Sequence, residues 1–231
     1  MGPAGPAGAA GPTGPAGPPG PAGPPLASFD ELNGTDCHGG SGTLSITYGA
    51  DGTASIACVT GGGGGGSADL KINEFMTGTT DSAADEFVEI VNVGTATADL
   101  SGYKLVYRSA AGTSDVSLAA IPSGTTLAAG AYYLFGGGGY AGSPPADQSF
   151  NTGLASAGGG LALRDSSGTI VDSLGYGNAV NAFVEGAPAP APPAAAPPGN
   201  SDVRLPDGDD TGNNSVDFTV TTTPTPRGPN T

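Results

Sequence analysis

The chain has 231 residues, with 43 Gly, 22 Pro, no Trp and a formal net charge of −15. So acidic a surface repels nucleic acid and anionic lipid through its field, and no apolar run reaches the length of a membrane span. Glycine and proline are concentrated in stretches that cannot join a core, which leaves two folding pieces, one very small and one of ordinary domain size.

From Gly2 to Pro25 glycine occupies every third position, in eight uninterrupted triplets with proline at seven of the eight second positions. This is the collagen pattern. Three polyproline-II chains wind about one axis only where each places a residue without a side chain at the crowded centre. The run would extend roughly 70 Å at the polyproline-II rise. It carries no charge to fix chain register, so homotrimerisation through so short a run is expected to be marginal. No basic or apolar stretch stands between Met1 and the first triplet, so no signal peptide is read. For a protein expected outside the cell, this reads as a fragment, a mature form or a mis-assigned start.

A small module follows, at 26–60. Leu44, Ile46 and Tyr48 alternate with Ser45 and Thr47, and Ala54, Ile56 and Cys58 alternate with Ser55 and Ala57 beyond the turn at 49–52. Period-two alternation about a Gly/Asp turn predicts a hairpin, with Tyr48 facing Thr53 and Thr43 facing Cys58. Some 35 residues are too few for a core alone, so a staple is expected. The Gly-rich loop after Cys37 can return it to the open end of the hairpin, and a Cys37–Cys58 disulfide is predicted. In the chain-entropy model it contributes roughly 3 kcal/mol. The alternative is metal or nucleophile chemistry at Cys37-His38. Two cysteines and one histidine do not complete a tetrahedral site, and there is no CxxC. The module also resembles a small cysteine-paired segment of bacterial secreted and surface proteins, of unknown function.

Residues 61–67 read as a flexible glycine linker. The domain at 68–231 carries −11 of the charge and the small module −4. Its predicted strands are 70–76, 86–92, 103–108, 116–121, 131–135, 160–164, 170–175 and 215–220. They are spaced by Gly/Ser/Asp turns, with no sustained helical period, which predicts an all-β sandwich with essentially no helix. Strands 70–76 and 86–92 should be central, because Phe87, Val88, Ile90 and Val91 form a two-sided apolar run. Gly102 and Gly130 mark turns. The proline-rich stretch 188–198 can join no central strand.

Several segments come in a telling order. Ile72-Asn73-Glu74 is followed by Glu86-Phe87-Val88-Glu89-Ile90-Val91-Asn92. Then come Asp99-Leu100-Ser101-Gly102-Tyr103, Leu127-Ala128-Ala129-Gly130-Ala131-Tyr132, Leu161-Ala162-Leu163-Arg164-Asp165 and Gly168-Thr169-Ile170-Val171-Asp172-Ser173. Arg204, Asp217-Phe218 and Thr225-Pro226 with Asn230 close the series. From Leu70 to Asn230 this resembles the lamin tail domain, an immunoglobulin-like β-sandwich of nuclear lamins and bacterial extracellular proteins. Ala129 stands where the family pattern has proline. The resemblance implies an immunoglobulin-like sandwich here.

Glu74, Glu86 and Glu89 form the best carboxylate cluster for acid–base work or cation binding. The resemblance implies that these positions recur without catalysis, as hydrogen-bonding groups at strand ends. Asp207, Asp209 and Asp210 are the candidate calcium ligands, on a loop whose spacing is not that of an EF-hand. Their composition equally makes an ordinary turn, the reading preferred here. His38 stands alone, no Ser-His-Asp set has local support, and the glycine runs 61–66 and 136–139 lack the features of a phosphate loop. No cofactor is expected.

The resulting expectation is a non-enzymatic, extracellular or cell-surface bacterial structural protein. A collagen-like stalk would carry a sandwich that binds an unknown surface or matrix partner. One alternative is an accessory region of a larger secreted hydrolase or nuclease; another is a passive matrix component.

Overall fold

The computed structural model describes residues 1–2, 5, 36–37, 42–48, 53–60 and 66–231; at 36–37, 42–43, 48 and 59–60 the backbone alone is described. The collagen-like run, apart from residues 1, 2 and 5, lies outside the described residues, as do His38 and the glycine linker up to 65.

The small module is a three-stranded antiparallel sheet of β1 (Asp36–Cys37), β2 (Gly42–Tyr48) and β3 (Ala54–Thr60), in that order. The predicted hairpin is present, but its register is displaced by one residue. Tyr48 pairs with Ala54 and Leu44 with Cys58. The connection therefore takes five residues, 49–53, where a four-residue turn was expected. Cys37 lies opposite Gly42, on the other side of β2 from Cys58.

The large domain continues with β4 (Leu70–Thr77), β5 (Glu86–Asn92), β6 (Ala98–Asp99), β7 (Lys104–Ser109), β8 (Val116–Ala120), β9 (Thr126–Leu127), β10 (Tyr132–Gly137) and β11 (Gln148–Phe150). After these come β12 (Gly158–Arg164), β13 (Ile170–Gly177), β14 (Ser201–Arg204), the helical turn α1 (Asn214–Asp217) and β15 (Phe218–Thr221). A six-stranded sheet runs β11-β10-β5-β4-β14-β15, a four-stranded sheet runs β13-β12-β7-β8, and β6 pairs with β9. Both larger sheets contribute to one apolar core. Ile72, Phe75, Val88 and Ile90 come from one; Leu105, Tyr107, Leu161, Leu163, Leu174 and Tyr176 come from the other.

The central pair β4–β5 is buried almost throughout, as the two-sided pattern predicts. Its register shifts between Ile72 and Glu74, because Asn73 is an extra residue in β4. Such a bulge lets Ile72 and Phe75 both face the core although three positions separate them. Glu74 and Met76 then face outward, beside Glu89 and Phe87. The turns expected at Gly102 and Gly130 are there, with φ of 76° and 72°, a region that L residues avoid. The outside of the four-stranded sheet is closed by Phe183 packed on Val106 and Ala162. The Arg108 guanidinium lies 4.3 Å from the Phe183 ring.

Two expectations are corrected. The strand expected at 215–220 begins at Phe218 and is preceded by a helical turn, because the Asn213 side chain accepts from Ser215 N and caps it. A strand not expected, β14, lies inside the sheet, hydrogen-bonded to β4 and β15.

Candidate functional site

The β4–β5 register sets Glu74 directly opposite Glu89. Both are 0% exposed although they lie on the outer face of the sheet. The end of the chain covers them. Glu74 accepts hydrogen bonds from Ser201 Oγ at 2.5 Å, Thr225 N at 3.1 Å and Thr225 Oγ1 at 3.3 Å. Glu89 accepts from Arg227 N at 2.5 Å and Asn73 Nδ2 at 3.4 Å. Asp207 accepts from Tyr132 Oη at 2.5 Å and Asn230 N at 2.9 Å. The Asn230 amide then donates to the carbonyls of Arg204 and Asn73. Residues 225–230 are thus laid across the sheet with three backbone N–H groups aimed at three carboxylates.

Burial dominates the electrostatics. It raises Glu74, against the bonds from Ser201 and Thr225. It pushes Glu89 up to about 8, helped by the Glu74 and Asp207 charges and opposed by Arg227 N and Asn73. Glu89 therefore keeps its proton at neutral pH. Perturbed carboxylates facing one another can serve acid–base chemistry. These two are sealed from solvent by the chain's own end, so no solvent-borne substrate reaches them. Glu86 does not join them. It lies toward the other face, accepts from Leu154 N at 2.7 Å, and is raised by burial to about 7.

A second polar group ties the two sheets together at the bulge. Arg204, 0% exposed, donates to Ile72 O at 2.8 Å, to Asp209 O at 2.7 Å, to Asp217 at 3.3 Å and to both oxygens of Asp172 at 3.1 and 3.2 Å. Its guanidinium also lies 4.6 Å from the Phe218 ring. Asp172, from the opposite sheet, accepts from Ile72 N at 2.6 Å. The backbone groups beside the bulge are therefore satisfied by side chains. Burial raises Asp172 to about 6, even with Arg204 opposing. Asp202, two residues before Arg204, has neither carboxylate oxygen hydrogen-bonded, and burial pushes it to about 8.

The calcium candidates diverge. Asp207 faces the chain end, Asp210 pairs with Lys71 at 2.7 Å, and the contact of Asp209 with Arg204 is through its backbone oxygen. Among the described residues no group of three or more His, Cys, Asp or Glu is placed to hold a metal. No described cysteine is free, and the Cys37 side chain on which the predicted bridge rests lies outside the described residues. Asp172, Ser201 and Asp202 were missed. For Ser201 and Asp202 the one available signal was a short segment bounded by Gly199-Asn200 and Pro206, a turn on either side of a strand-length run; Asp172 stands in the segment 168–173 quoted above, without a role assigned to it.

Such a molecule is of the class of all-β, two-sheet domains whose buried acids serve as internal acceptors. Residues 65–178 match the family model described as Lamin Tail Domain. The match takes in β4 to β13. The strands β14 and β15, which complete the six-stranded sheet, and the covering segment 225–230 follow it. No curated protein matches the chain.

Proposed function

We propose that this chain is a non-catalytic, extracellular or cell-surface protein in which a collagen-like stalk presents the sandwich as an interaction head. The lamin tail domain match, over an all-β two-sheet fold, carries the reading of the head as an immunoglobulin-like interaction domain. The strict glycine register of residues 2–25 supports the stalk. A collagen-like run beside a cysteine pair supports an oxidising, extracellular setting. The Cys37–Cys58 disulfide belongs to the same reading and staples the small sheet.

Sedimentation of the intact chain tests the stalk. A trimer in the cold that dissociates cooperatively on warming is the expected result, and Gly11→Ala should abolish it because a methyl group has no room at the axis. A monomer at all temperatures removes the stalk and leaves the head. Intact-mass measurement after alkylation without reductant tests the bridge; two alkylated cysteines would refute it.

A further inference from the structure

Next to the buried acid pair, a cavity of about 420 Å³ opens between the loop after β10, the proline-rich stretch and the end of the chain. Met76 and Phe87 are among its lining residues, with Tyr140, Pro198 and Pro226. The Tyr140 ring stands edge-on to Phe87, centroids 5.9 Å apart. One carboxylate, Asp85, shares the lining. Asp85 has one hydrogen bond on each oxygen, from Ala141 N at 3.1 Å and from Thr79 Oγ1 at 3.4 Å, so each oxygen keeps further acceptor capacity.

The lining carries one carboxylate and no Lys or Arg. Burial pushes the Tyr140 hydroxyl up to about 12; Asp85, Glu74 and Glu89 act in the same direction, and Arg227 opposes them. Arg227 is itself paired with Asp147. An aromatic face, a thioether and prolines around a single anionic group suit a cation on an apolar body. The chain's net charge of −15 would draw such a ligand in.

We infer that the cavity lined by Met76, Phe87, Tyr140 and Asp85 is a binding site for organic cations, an ammonium or guanidinium group carried on a compact apolar body. Asp85 takes the charged head; Tyr140 and the prolines take the body. The end of the chain is part of the site. Pro226 lines the cavity, and its neighbours Thr225 and Arg227 are held by Glu74 and Glu89. The site does not depend on the stalk reading, since every residue in it belongs to the large domain.

The test uses the full chain and two probes of similar body and opposite charge, phenethylammonium and phenylacetate, followed by amide chemical-shift titration. Phenethylammonium should shift Ala141 and Gly142 and saturate in the millimolar range, while phenylacetate leaves them unmoved. Asp85→Asn should weaken the cation about tenfold, the loss of one charge-assisted contact. Tyr140→Leu, which keeps an apolar wall but removes the ring face, should weaken it in the same direction. Equal binding of both probes, or no saturable shift with the cation, overturns the inference. So does an Asp85→Asn protein that folds and binds as before. Should Asp85→Asn fail to fold, the wild-type comparison of the two probes and the Tyr140→Leu titration decide.

Discussion

Both faces of the six-stranded sheet are buried along β4 and β5, the inner one by apolar packing and the outer one by an apolar cluster with a pair of acids beside it. The inner face presents Ile72, Phe75, Val88 and Ile90 to the facing sheet. The outer face presents Glu74 and Glu89 to the end of the chain. Apolar burial is non-directional and tolerant of detail. The polar face works only while each carboxylate keeps its donors, and its strength depends on protonation. One face fixes the fold; the other fixes the placement of residues 225–230 and makes it sensitive to pH.

The largest expected losses lie on the inner face and at the polar tie through it. Phe75→Ala should cost roughly 3–5 kcal/mol and Ile90→Ala roughly 2–5 kcal/mol in denaturant unfolding, through lost burial and the cavity left behind. Arg204→Met should cost a comparable amount, about 3–5 kcal/mol, because it strands the buried Asp172 and Asp217. An Arg204→Met protein as stable as wild type would show that this arginine is replaceable by packing.

The buried acids should appear in the pH dependence. Glu86, Glu89 and Asp202 are raised by burial to about 7, 8 and 8, and Glu74 is raised as well. A carboxyl raised in the folded state favours folding while protonated. That contribution is complete below the unfolded carboxylate range and is lost as pH rises through the folded value. Asp115 and Asp210 are lowered by their Arg and Lys partners and act oppositely, below that range. Stability should therefore peak in mildly acidic solution and decline toward pH 8. Asp202→Leu should remove part of the decline and stabilise the domain at high pH by about 1–3 kcal/mol, the cost of an unsatisfied buried polar group. Unchanged stability there would mean that Asp202 has a partner.

Smaller effects are expected at the edges of the comparison. Thr225→Ala removes the hydroxyl that bonds Asn230 Oδ1 and Glu74 and should cost about 0.5–1.5 kcal/mol. Asp115→Ala, which breaks the partly exposed pairs with Arg108 and Arg164, should cost about 1 kcal/mol or less.

The same contrast decides what was legible in the sequence. Strand β5 falls on its predicted limits because Phe87, Val88, Ile90 and Val91 state its burial outright. Strand β14 was invisible because Ser201-Asp202-Val203-Arg204 carries no apolar alternation; it is buried by pairing Arg204 with acids from β13 and α1. The small hairpin was legible in kind and wrong by one residue, because a turn of four or five residues leaves the same alternation on both sides. Glu74, Glu86 and Glu89 were read from the residues as one cluster, of which the structure brings Glu74 and Glu89 together and sets Glu86 apart. The cover over Glu74 and Glu89 was not legible, since Thr225 N and Arg227 N are backbone donors more than a hundred residues away and carry no side-chain signature.

Carbon-detected titration of the Glu89 carboxyl tests most directly the claim that residues 225–230 rest on buried acids, with Glu89 protonated. Its chemical shift should stay in the protonated range at neutral pH and move with a midpoint near 8. A midpoint in the ordinary carboxylate range, about 4.3, would contradict the account. It would mean that Glu89 is solvated and that residues 225–230 do not seal the outer face of the sheet.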